Sequence, residues 1–206
     1  MKASRPINQA RILLADLGKV RWADDELLGW LNGAQLQIVA VRPDAKATKA
    51  TINLVAGADQ TIPVTGTRLL DVKRNVGGRA ITLISRDQLN EFDPDWYAAD
   101  QSDTIKHYTF DPNDPKSFEV VPPAIAGTQV SIVYAAIPTD CADLNADIAL
   151  DDIYEGPLID WICYRAWIKD GETSPDQQRA ANALATFMQA LTGKTRSDQA
   201  TRPARK

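Results

Sequence analysis

Histidine is almost missing from this sequence: His107 is the only one in 206 residues. That scarcity bears directly on chemistry. A serine or cysteine nucleophile ordinarily needs an adjacent base, most often histidine. His107 falls within Ile105-Lys106-His107-Tyr108-Thr109-Phe110, an alternating pattern in which a packed or hydrogen-bonded strand histidine is the expected role. Cysteine is nearly as scarce. Cys141 and Cys163 fit no zinc-ligand spacing and define no disulfide framework, and they suit a reduced, cytosolic site of synthesis. No run of about 18 apolar residues occurs, so no membrane-spanning helix and no membrane anchoring are expected. Residues 1–16 lack the apolar block and small-residue cleavage site of a secretory signal. Gly77-Gly78 lacks the full glycine pattern and the following lysine-serine pair of a phosphate-cradling loop. These absences argue against an enzyme and against a bound cofactor.

What the sequence does have is a core and an uneven charge. Hydrophobic residues make up 44%, enough for a packed interior in one domain or one domain with a large insertion. The formal net charge is −4. Residues 194–206 hold Lys194, Arg196, Arg202, Arg205 and Lys206 against Asp198 alone. An acidic body therefore ends in a basic segment without large apolar residues. Such a segment cannot bury itself and is expected to be a flexible tail. It either has no partner or orders on an acidic surface or nucleic acid.

The hydrophobic period divides the chain into helices, then strands, then helices. Ile7, Ala10, Leu13, Leu14 and Leu17 share a helical face, and Gly18 reads as its stop. A second helix begins near Asp24. Asp24, Asp25 and Glu26 occupy its first turn, where the helix dipole favours carboxylates. Trp22 and Leu27 flank the cap at Ala23 in hydrophobic-staple positions. Leu27, Leu31, Ala34, Ile38 and Val41 form its stripe, and Pro43 ends it.

From about residue 48 to 137 the period becomes two. Strands are expected at 51–56, 69–74, 80–85, 105–110, 118–121 and 129–135. Gly57, Gly66, Gly77-Gly78, three Asp-Pro pairs, Pro122-Pro123 and Gly127 punctuate them. Two helices follow. One spans about 157–169, with Leu158, Trp161, Tyr164, Arg165 and Ile168 on one face and Gly171 as its cap. The other opens on Ser174-Pro175-Asp176-Gln177, a capping box with proline at the first helical position. It carries Ala180, Leu184, Phe187, Met188 and Leu191 on one face and stops at Gly193.

The expected fold class is α+β: a helical bundle from the N- and C-terminal helices, with an inserted antiparallel β-sandwich or barrel-like region. The bundle takes 1–47 and 138–193, the insert 48–137, and the basic tail 194–206.

Two patterns imitate chemistry. Asp143-Leu144-Asn145-Ala146-Asp147, with Asp151, resembles a calcium loop. Ile148 stands where glycine is needed, however, and Tyr154 where the bidentate glutamate belongs. A polar linker whose aspartates cap the next helix is the better reading, and no metal is expected. Asp93, Asp95, Asp100 and Asp103 lie among turn residues and read as solvated rather than as an acid/base pair. Of five tryptophans, Trp30 and Trp167 depart from the stripes of their helices. Each is either second-face packing or a subunit-interface candidate.

Three sets of residues resemble phage head-to-tail adaptor proteins of the short-tailed type. Arg21-Trp22-Ala23-Asp24-Asp25-Glu26-Leu27-Leu28, Trp30-Leu31-Asn32 and Arg42-Pro43-Asp44-Ala45 are similar to the first long helix of that family, although Ala23 stands where serine or threonine is expected. Asp93-Pro94-Asp95-Trp96, His107-Tyr108, Asp111 and Pro122-Pro123 are similar to its β region. Tyr164-Arg165-Ala166 with Lys169-Asp170 is similar to its C-terminal helices. The ordered set covers most of the chain. The resemblance implies a structural virion protein at the head–tail junction, made in the host cytoplasm. It implies a ring, typically a dodecamer, beneath the portal protein. That ring extends the channel through which double-stranded DNA passes, and it offers a platform for the tail nozzle or spike protein. Lys194, Arg196, Arg202, Arg205 and Lys206 then become a portal-docking tail.

Three other readings compete. One is a carbohydrate- or peptide-binding β-sandwich module, with Trp96, Tyr97 and Tyr108 lining a groove. Another is an enzyme with a buried carboxylate pair of raised pKa. The third is a different neck or tail-completion protein.

Overall fold

A computed structural model of the chain describes residues 1–171 and 174–200; for Ser174 and for 194–200 it describes the helical backbone alone. The fold is α+β and divides into two compact units. One comprises Met1–Ala45 with the described residues from Pro138 onward. The other is Lys46–Ile137.

The first unit is helical. α1 (Ser4–Leu13) and α2 (Asp24–Val41) come first, and α4 (Glu155–Lys169) and α5 (Ser174–Ala200) close the chain. α4 is the hub and packs on α5, α2 and α1. Three neighbours demand more than one apolar stripe, so the buried face of α4 is Leu158, Ile162, Cys163 and Ala166. The expected face is corrected accordingly: Arg165 and Ile168 are exposed. Trp161 stays half-buried, with its ring centroid 5.2 Å from Tyr164 and 5.1 Å from Phe187 of α5.

α2 forms as its sequence dictates. Ala23 is the cap residue, Asp24, Asp25 and Glu26 fill the first turn, and Trp22 and Leu27 are both buried. A cap without a side-chain oxygen leaves its N–H groups unserved. The turn before the helix is instead fixed by a buried ion network. Arg11 is 2% exposed and donates to Asp16 Oδ2 (2.6 Å), to the carbonyl of Trp22 (2.9 Å) and to Asp24 Oδ1 (2.7 Å). Asp16 in turn accepts from the N–H groups of Val20, Arg21 and Trp22. This network ends α1 at Leu13, earlier than expected. The left-handed positions of the turn are Ala15 (φ 53°) and Lys19 (φ 54°), not Gly18. Leu13 and Leu17 point away from the core and are exposed.

α2 also grips the segment that returns from the second unit. Asn32 Nδ2 donates to the Cys141 carbonyl and Asn32 Oδ1 accepts from the Cys141 N–H (3.1 and 2.9 Å), while buried Gln35 accepts from the Ala149 N–H (2.9 Å). The calcium-like stretch lies here and is used for local bonding. Asp143 accepts from the Asn145 N–H, Asp147 pairs with Lys2, and Asp151 accepts from the Ile153 N–H ahead of α4. The expected stop at Gly193 is corrected. α5 runs through it to Ala200, since one glycine costs a helix only about 1 kcal/mol relative to alanine.

The second unit holds two sheets. β1 (Ala47–Asn53), β7 (Gln129–Ala136) and β3 (Gly66–Asn75) are ordered β1-β7-β3 and antiparallel. β2 (Gly57–Thr61), β6 (Ser117–Ala124), β5 (His107–Thr109) and β4 (Thr82–Leu83) are ordered β2-β6-β5-β4. Their inner faces share one core, which includes Leu69, Val72, Ile105, Phe118, Val120 and Ile132. The second sheet is not wholly antiparallel, because β4 runs parallel to β5. β2 was not expected, since Gly57 reads as a turn and Ala58-Asp59-Gln60 has no apolar alternation. It folds inward because the side chain of Gln60, 3% exposed, accepts from the Val55 N–H and donates to the carbonyls of Val55 and Gly57. The short helix α3 (Arg86–Phe92) also escaped the sequence pattern, having Leu89 as its one buried residue. Gly66 is required by close approach: a Cβ there would lie 2.7 Å from Ile62 and 2.8 Å from Tyr134.

The substitution Asp16→Asn leaves the Arg11 charge buried without its strongest partner. The expected loss is about 3 kcal/mol of unfolding free energy, read by urea denaturation at neutral pH; a loss below about 1 kcal/mol contradicts the assignment. Burial raises the pKa of Asp16, but the N–H donors of Arg21, Trp22 and Val20 and the charge of Arg11 outweigh it and hold the carboxyl below its usual value. Hydrogen bonds from Lys19 and Arg11 do the same for Asp24. The stabilisation is therefore complete above the unfolded carboxylate pKa of about 3.9 and is lost as pH falls through the folded values. The Asp16→Asn variant should show a shallower loss of stability in that acid range.

Candidate subunit-contact surfaces

His107 on β5 is half-buried, with its Nδ1 2.7 Å from Thr82 Oγ1. Cys141 and Cys163 are buried free thiols. Burial pushes the Cys163 thiol up to about 12, with help from the Asp160 charge, and burial raises Cys141 as well. A thiol so shifted is protonated at neutral pH and is a poor nucleophile. Asp93, Asp95, Asp100 and Asp103 are all exposed. No group of three or more metal-ligating side chains is found among the described residues.

One cleft lies in the helical unit. It measures about 240 Å³ and is lined by Leu13 of α1, Asp160, Cys163 and Trp167 of α4, and Arg179, Asn182, Ala183 and Thr186 of α5. Burial raises the pKa of Asp160. No second carboxylate lines this cleft. Trp167 is half-buried at its wall, and Trp30 is half-buried on α2. Exposed Ile12, Leu13 and Leu17 continue apolar surface along and beyond the end of α1.

Another cleft, of about 310 Å³, lies in the β unit. Asp59 of β2, Glu119 of β6, and Asp111 and Asp114 of the β5–β6 loop line it together with Arg86 of α3. Arg86 donates to Glu119 and Tyr97 donates to Asp59. The bond to Glu119 raises the Arg86 pKa, as do the charges of Glu119, Asp111 and Asp59 against the cost of burial. Glu119 Oε2 is shielded from solvent and has no hydrogen-bond partner. Sequence reading missed this site because its residues come from four separate elements. Only Asp111-Pro112-Asn113-Asp114 was visible, as a turn signal.

The groove required for a sheet-borne sugar or peptide module is not formed. Trp96 and Tyr108 are 5% and 4% exposed. Trp96 donates to Asn90 and Tyr108 to Asp71. Tyr97 alone of the three is exposed.

Both units leave large apolar side chains exposed, Leu17 and Val20 in the helical one and Val64 and Phe92 in the other. The chain belongs to the SU10 adaptor protein family, a phage head-tail adaptor family, whose sequence model matches residues 1–206. Membership carries a structural adaptor role. It implies a place in the virion and association with portal and tail components. A search of curated proteins finds no match to the chain. No helix among the described residues is long and apolar enough to cross a membrane.

The buried thiols give a direct check on this chemistry. Native protein at pH 8 should react with a maleimide or a thiol-exchange reagent at least about a hundredfold slower than the same protein in denaturant. Rapid labelling of Cys163 in the native state would place it in an open, reactive setting instead.

Proposed function

We propose that this chain is the subunit of a head-to-tail adaptor ring, typically a dodecamer, seated beneath the portal. The ring lengthens the DNA channel and carries the tail nozzle or spike protein. The observation that carries the reading is the family match across residues 1–206. A ring needs a heterologous contact, in which one face of each subunit complements a different face of the next. Trp30 and Trp167 are the aromatic anchors of that contact in the helical unit, half-buried before assembly and of the residue type that dominates interface energetics. The acidic body suits a lumen that passes DNA without gripping it, because phosphate contacts need lysine and arginine.

The basic segment is the portal-docking arm. Lys194 and Arg196 lie on the backbone of α5, with their side chains outside the described residues; Arg202, Arg205 and Lys206 are outside them altogether. Their role rests on sequence charge, five cations against one carboxylate.

Sedimentation velocity with the portal ring of the same virus tests the reading. A complex with several adaptor copies per portal is expected. No association at micromolar concentrations would exclude the adaptor assignment and leave a different neck or tail-completion role. Deleting 194–206 should abolish portal binding; undiminished binding would remove the docking arm from the account. Trp30→Ala and Trp167→Ala should each weaken subunit association about tenfold to thirtyfold with unchanged circular dichroism.

A further inference from the structure

The β unit carries two surfaces of opposite charge, and each lacks what the other supplies. Four carboxylates, Asp59, Asp111, Asp114 and Glu119, converge on a cleft that contains one cation, Arg86. Arg86 is committed to Glu119, and Asp59 accepts from Tyr97. Four carboxylates against one guanidinium leave the cleft net negative, so it favours an incoming cation.

That donor is present on the same unit. β3 ends in Lys73-Arg74-Asn75, then turns through Val76-Gly77-Gly78 to Arg79. Lys73, Arg74 and Arg79 are exposed and enter no ion pair among the described residues. The turn is held rigidly. Asn75, 6% exposed, donates to the carbonyls of Arg79 and Ile105 and accepts from the Ile105 N–H. Gly77 takes φ +71° at its tip, a left-handed conformation that glycine adopts without steric cost. A turn fixed in this way loses little conformational freedom on docking.

The two surfaces cannot satisfy each other within one subunit. The acidic loop joins β3 at its start, where the Leu69 N–H donates to the Pro115 carbonyl. The basic turn leaves β3 at Asn75, six residues further on, a strand distance of about 20 Å. Complementary patches displaced along one strand are the geometry of a head-to-tail contact, whose repetition closes a ring or extends a filament.

We propose that the Lys73–Arg79 turn of one copy seats in the Asp59, Asp111, Asp114 and Glu119 cleft of the next copy. This rests on the ring reading above and assigns it a specific contact. Arg74 and Arg79 supply the guanidinium donors, set against the carboxylates that line the cleft. The contact fixes which neighbour is accepted and in what order, since turn against turn and cleft against cleft both repel.

A charge-swap experiment tests it on the full chain. One variant reverses the turn (Lys73→Glu, Arg74→Glu, Arg79→Glu). The other reverses the cleft rim (Asp59→Lys, Asp111→Lys, Asp114→Lys). Sedimentation velocity is recorded alone and on the portal ring, with circular dichroism to establish folding. Each variant by itself should associate at least about tenfold more weakly than wild type. Mixed in equal amounts they should associate again, because each then offers the other an opposite charge at both surfaces. Wild-type association should also weaken as NaCl rises from about 50 to about 500 mM. If wild type assembles and the separate variants assemble equally well, the ring stands and this contact is wrong. A wild type that stays monomeric both alone and on the portal removes the ring and the contact together. Assembly abolished by a chelator would assign the cleft to a divalent cation and overturn the neighbour as its occupant.

Discussion

A guanidinium removed from water is unstable unless every charge around it is arranged in its favour. Arg11 meets that demand with Asp16, Asp24 and the Trp22 carbonyl, although its Nε has no partner. Satisfying it fixes much else in the helical unit. The chain must turn sharply after α1, which places Ala15 and Lys19 in left-handed conformations. Asp16 must sit beneath the backbone that leads into α2, where it accepts from the N–H groups of Val20, Arg21 and Trp22 ahead of the helix. Trp22 is thereby held in the core opposite Leu27. Hydrophobic burial alone would let two short amphipathic helices choose among several crossing geometries; a buried ion network accepts few of them.

The β unit solves its polar burial differently. Gln60 and Asn75 lie inside it and bond to backbone, within a few residues or, for Asn75, at Ile105 just ahead of β5 in the other sheet. Each converts an irregular stretch into a fixed shape, a bulged β2 in one case and a rigid turn in the other. Rigid local shape is what an assembly subunit needs at its contacts, because a preformed surface loses less entropy on binding. The thiols, the histidine and the exposed aspartates are absorbed in comparable structural or solvated roles. The structural adaptor role itself rests on the family match.

Long-period features were legible in the sequence. Leu27, Leu31, Ala34 and Ile38 of the α2 stripe (though not Val41, which is exposed at the helix end), its acidic first turn and its staple follow from spacing alone, and so do the strands around Leu69–Arg74 and Gln129–Ala135 and the α+β class. β2 and α3 were not legible, because each buries so little apolar surface that no period arises. The buried face of α4 was misjudged for the opposite reason. A helix with three packed neighbours is apolar over most of its circumference, and a single best stripe then has no meaning.

By itself the sequence determined which segments form the major helices and strands, where the chain changes from one period to the other, and which family it joins. Those properties are local or cumulative along the chain, and side-chain period and family pattern record them directly. Only the tertiary structure decided that Arg11 is buried, that Trp96 and Tyr108 face inward, and that Asp59, Asp111, Asp114 and Glu119 share one cleft. Charge and polarity in the sequence state what a residue can bond to. Which partner it meets depends on how separate elements are brought together by packing, and strand pairing over long sequence separations leaves no periodic trace in any one segment.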